Sequence, residues 1–120
     1  MKIKYDVAIT EIGSLARTFL KSNHSATLMN AGENQELNDM VIAHRKDELS
    51  EDICAGDRLK ICDSVFTVTK VGEAANANLR QSGHCTIRFN EEATLPGQIS
   101  VEGSPLPELA PGRHIMFYQD

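Results

Sequence analysis

The first ten residues, MKIKYDVAIT (Met1–Thr10), alternate in character, with Ile3, Tyr5, Val7 and Ile9 on one face of an extended segment. A period of two marks a strand with one face buried and the other in water. The same texture returns along the chain in ATLMN (26–30), MVIAH (40–44), RLKICD (58–63), VFTVTKV (65–71), CTIRF (85–89), QISVE (98–102) and HIMFY (114–118), several of them rich in β-branched residues. Between these candidates lie NAGEN, CAGD, LPGQ, EGSPLP and APGR, each supplying Gly or Pro where the chain must reverse.

Two stretches break the pattern. After Gly13, SLARTFLK sets Leu15, Ala16, Phe19 and Leu20 at helical spacing, with Ser14 as the expected N-cap and the helix ending before Asn23. EAANANLRQSG reads as a second short helix, with Gly83 as its C-cap. Short strands with two minor helices and no βαβ alternation predict an all-β, mainly antiparallel fold, either a small barrel or a two-sheet sandwich of about eight strands. At 120 residues the chain is one domain, 1–120, with no repeat or linker expected to divide it.

Composition narrows the function classes. With 41% hydrophobic and 24% charged residues the chain has the profile of a folded domain. Aromatic content of 5% without Trp argues against a stacking platform for bases, and a net charge of −5 argues against nucleic acid. Arg45 with Lys46 is too small a basic patch to reverse that. The amino terminus is strand-like rather than a signal peptide, and no run approaches the roughly 18–20 apolar residues of a membrane helix, so a cytoplasmic protein without membrane insertion is expected. Cys54, Cys62 and Cys85 form no C-x-x-C pair and are expected to be reduced and partly buried.

Four histidines remain as candidate chemistry. His24 in KSNHSA and His114 at the start of a strand read as surface residues. His44 ends the apolar run of MVIAHRKDEL just where charged residues begin, a place that joins rigid support to expected solvent access. His84 follows Gly83, which is expected to leave space around its imidazole, and the two rings are candidates to face each other across a barrel mouth. On residues alone, the favoured reading of each is a half-buried polar residue without a task. Ligand spacing for a metal is absent: His84 and Cys85, adjacent in a strand, point to opposite faces. Signatures of nucleophilic triads and phosphate-cradling loops are also missing, so neither a metal nor a cofactor is expected.

Three stretches together, ITEIGSLARTFL, VIAHRKDEL and LRQSGHCTIRFN followed by LPGQISVEGSPLPELAPG, resemble in order and spacing the glucitol/sorbitol-specific IIA component of the bacterial phosphoenolpyruvate-dependent sugar phosphotransferase system (PTS). The resemblance covers nearly the whole chain, and its GHCTIRF…LPGQISVEG portion is the most specific. It implies a phosphocarrier that takes a phosphoryl group from the histidine phosphocarrier protein HPr and passes it to the IIB domain of a membrane sugar permease. It further implies His44 as the nucleophile, since this residue fills the place of the family's phosphorylated histidine before the Glu48-Leu49 pair. Where other members carry a second histidine two positions on, this chain has Lys46, which leaves His84 to stabilise or orient the phosphoryl group. A non-enzymatic regulatory or ligand-binding barrel that keeps the family fold is the alternative.

Overall fold

The eight strands close into a single barrel in the computed structural model, which describes residues 1–120. In chain order they are β1 (Lys2–Ile12), β2 (Ser25–Asn30), β3 (Val41–His44), β4 (Arg58–Ile61), β5 (Ser64–Val71), β6 (Cys85–Phe89), β7 (Gln98–Glu102) and β8 (His114–Gln119), with α1 (Ala16–Asn23) after β1 and α2 (Ala75–Ser82) after β5. Around the barrel the order is β1-β3-β2-β6-β7-β5-β4-β8, with every neighbouring pair antiparallel except β2·β3 and β6·β7. Closure leaves no open sheet edge. The inward positions carry Leu28, Ile42, Leu59, Ile61, Ile87, Ile99, Val101, Ile115 and Phe117, all without solvent exposure.

The two parallel pairs belong to a duplication. Each half runs strand, glycine, two-turn helix, strand and parallel strand: β1-α1-β2-β3 in the first and β5-α2-β6-β7 in the second. The Gly13 N–H donates to the Val41 carbonyl and the Gly72 N–H to that of Gln98. Helix α1 buries Ala16 and Leu20, and α2 buries Ala75 and Leu79 at the same steps. Each helix ends in a left-handed residue, His24 (φ 52) and Gly83 (φ 64). Thr27 and its counterpart Thr86, 59 residues on, meet across β2·β6 with their hydroxyls 3.0 Å apart, so a pseudo-two-fold axis passes between them.

This overturns the expectation of a chain without a repeat. The halves share a pattern of buried and exposed positions rather than identities: Arg17 corresponds to Asn76 and Phe19 to Asn78, which hides the relation in the sequence. Ser14 is also not the cap of α1. Leu15 holds that position without a side-chain bond, and the Gly13 carbonyl receives the Ala16 N–H instead.

Two irregular segments close the barrel. Residues 45–57 lay Leu49 and Ile53 into the core, and Asn76 of α2 grips Ile53 at both ends of its peptide unit, 2.8 and 3.1 Å. Residues 103–113 do the same at the other end with Leu109, whose carbonyl accepts from Arg17 of α1 at 2.8 Å. The first segment is further pinned by a buried ion pair: Lys4 reaches Asp57 at 2.8 Å and the Asp52 carbonyl at 2.9 Å. Lys4 can turn inward beside Tyr5 because the β1·β8 register slips between Ile3 and Tyr5.

Candidate functional site: a histidine pole on one end of the barrel

Ile42 points into the core, so His44, two residues on, points the same way at the end of β3. Its neighbours are Asn30 on β2 and Ile9 on β1. The ring is fully buried, which corrects the expected solvent access: the strand delivers it into the mouth of the barrel rather than onto the surface. The exposed side chains begin only at Arg45 and run through Glu48.

Both ring nitrogens meet carbonyl oxygens. Nε2 lies 3.0 Å from the Gly83 oxygen and Nδ1 2.9 Å from that of Arg45. A neutral imidazole has one N–H, so it donates to one carbonyl and holds a lone pair toward the other. Tyr5 stands edge-on to the ring, 90° between planes and 6.0 Å between centroids. Burial, followed by the charges of Asp47 and Cys85, pushes the Tyr5 hydroxyl up to about 12, so it is a protonated donor at neutral pH. Burial alone pushes the Cys85 thiol equally to about 12.

Gly83 is required here by proximity. A Cβ at this position would lie 2.1 Å from Asn30 Oδ1 and 2.7 Å from His44 Cε1. The left-handed backbone alone does not demand glycine, because His24 adopts it at the equivalent helix end. Thus the space beside Gly83, expected to surround His84, is occupied by His44 and Asn30. His84 itself is half-buried at the next position and makes no side-chain hydrogen bond, and none joins the two imidazoles; the Gly83 carbonyl links them to one corner. The other two histidines lie elsewhere: His24 caps α1, and His114 pairs with Asp6 at 2.7 Å.

Three buried side-chain polar atoms in the molecule have no hydrogen-bond partner, the Tyr5 hydroxyl, Asn30 Oδ1 and Arg88 Nε; of these, Asn30 Oδ1 lies beside His44, and the Tyr5 ring stands edge-on to the same imidazole. The duplication supplies a comparison within one chain. At the other pole the paired positions Asn30 and His44 become Phe89 and Val101, with Phe89 packed on Phe66 at 5.0 Å. One end is filled with hydrocarbon, while the other keeps polar groups that cost stability when unpaired, about 1–3 kcal/mol each. Tyr5 and Asn30 escaped sequence reasoning because tertiary packing and strand pairing bring them to His44, and no local pattern marks either residue. No cleft of the surface is lined by His44 or His84.

Fold and site together define a small closed barrel with one polar pole built around a histidine. The model of the family "PTS system glucitol/sorbitol-specific IIA component" matches residues 4–116, and this chain belongs to that family. The glucitol/sorbitol-specific EIIA components of Escherichia coli (strain K12) and Shigella flexneri are each 32% identical over 119 residues, covering 98% of this chain and 96% of theirs. The crystal structure of a PTS system IIA component from Enterococcus faecalis V583 superposes with a TM-score of 0.86 at 27% identity, over 95% of this chain and 99% of that one. No helix is long and apolar enough to cross a membrane.

Proposed function

We propose that this protein is a phosphocarrier of a glucitol/sorbitol phosphotransferase system, acting on the cytoplasmic side, with His44 as the residue that carries the phosphoryl group. In the first step a ring nitrogen of His44 attacks phosphorus on phosphorylated HPr, and the donor's N–P bond breaks with its electron pair returning to the donor ring. In the second, a cysteine thiolate of the permease IIB domain attacks the same phosphorus, and His44 recovers its lone pair. The observation that carries this reading is the polarity of one pole: His44 and Asn30 stand where the equivalent pole has Val101 and Phe89.

Because both nitrogens face carbonyls, transfer includes turning one carbonyl aside. The Arg45 peptide belongs to an exposed run, tied back to the barrel by its N–H on the Ala8 carbonyl, whereas Gly83 is buried at a helix end. A docking partner thus reaches Nδ1 with the smaller disturbance. Arg45 and Lys46 place two cations beside the approach.

Burial of His44 favours one other reading, in which this ring only ties β3 to Gly83 and the half-buried His84 carries the group. Incubation with phosphoenolpyruvate, enzyme I and HPr separates the two. Acid-labile, alkali-stable label that disappears in His44→Ala and persists in His84→Ala supports the first; the reverse pattern supports the second. No label in the wild-type chain would leave a regulatory barrel instead.

A further inference from the structure

Asn30 is 7% exposed, and its Oδ1 is buried without a hydrogen-bond partner. That oxygen and Cε1 of His44 flank one point, 2.1 and 2.7 Å from where a Cβ on Gly83 would sit. The other end of the amide, Nδ2, has no protein acceptor and is not among the buried unpaired atoms, so it reaches the surface at the pole. A buried amide without a partner lowers stability. The equivalent position at the other pole has Phe89, which avoids this cost.

We propose that Asn30 contacts the phosphoryl group during transfer, an inference that rests on His44 as the carrier. As the ring nitrogen bonds to phosphorus and the donor's N–P bond breaks, negative charge spreads over the three equatorial oxygens. Nδ2 of Asn30 donates a hydrogen bond to one of them. Oδ1 stands on the Cε1 side of a ring that turns positive as its lone pair is given up. Nδ2 then exchanges solvent for a phosphoryl oxygen, and Oδ1 gains a partner that the resting molecule lacks.

The test is single-turnover transfer from phosphorylated HPr, with the label mapped by residue and a melting curve for each variant. Asn30→Leu removes the donor and fills the space; transfer is expected to slow about 100-fold, with a melting temperature equal to or above wild type. Asn30→Asp keeps the shape, loses the donor and repels the phosphoryl oxygens, so it is expected to be slower still; it carries the test should the leucine variant not fold. A purely structural Asn30 gives the opposite pattern, with transfer at the wild-type rate in folded variants, and that result with label on His44 overturns this role alone. Label on another residue in the wild-type chain overturns the carrier assignment and this role together.

Discussion

Replacing Gly83 with alanine tests the packing of the histidine pole directly. The added Cβ would stand 2.1 Å from Asn30 Oδ1 and 2.7 Å from His44 Cε1, so a side chain or the turn must move. Neither neighbour yields freely: Asn30 is nearly buried, and the His44 ring is held at both nitrogens. Overpacking of this kind costs about 1–3 kcal/mol, and a left-handed alanine about 1–2 kcal/mol more, which together give roughly 2–5 kcal/mol. At about 4 °C per kcal/mol for a domain of this size, the melting temperature should fall by roughly 8–20 °C. The duplication provides the control. His24 adopts φ 52 at the equivalent helix end with its side chain half exposed, so His24→Ala should change stability by no more than about 0.5 kcal/mol. Calorimetry or thermal circular dichroism reads both variants. A Gly83→Ala protein melting within about 2 °C of wild type, or an equal loss from His24→Ala, would refute the reasoning.

Three further outcomes follow from buried groups. Burial lowers the Lys4 pKa, but the hydrogen bond and charge of Asp57 outweigh it and hold the ammonium above its ordinary 10.5; Asp57→Asn leaves that charge buried and unpaired and should cost about 3–5 kcal/mol by urea denaturation, with Lys4→Met recovering part of the loss in the double variant. Tyr5 and Cys85 are both raised to about 12 from 10.0 and 9.0, so the folded protein keeps protons that the unfolded chain releases; stability is intact below pH 9 and declines as pH climbs toward 12, by up to about 1.4 kcal/mol per unit for each group, and coincident urea midpoints at pH 8 and 10.5 would contradict this. Cys54 is exposed while Cys62 and Cys85 are buried, so a thiol reagent should titrate one cysteine rapidly in the native protein and all three in denaturant.

Much of the barrel was legible because alternation is a local property. The stretches CTIRF and QISVE coincide with β6 and β7, and the remaining strand estimates differ mainly by a residue or two at the ends. Gly83 was recognisable as a helix stop from its place after LRQS. The parallel pairings and the duplication were not legible, since both depend on which strands meet rather than on any one strand's composition. His44 stood out as an imidazole ending an apolar run, but its burial did not: the strand pattern fixes alternation, and only the turn at Gly83 closes over that end.

By itself, then, the sequence determined the eight extended segments, the two short helices and, through ordered similarity along the chain, a phosphotransferase family. The segments and helices are set by the spacing of apolar side chains and by residues at turns, which act over a few neighbours. Tertiary structure alone decided barrel rather than sandwich, put the Asn30–His44 pair at one pole and Phe89–Val101 at the other, and brought Tyr5 and the Gly83 carbonyl to the ring. The physical reason is that register and closure join residues 39 positions apart, such as His44 and Gly83, through contacts that no local pattern encodes.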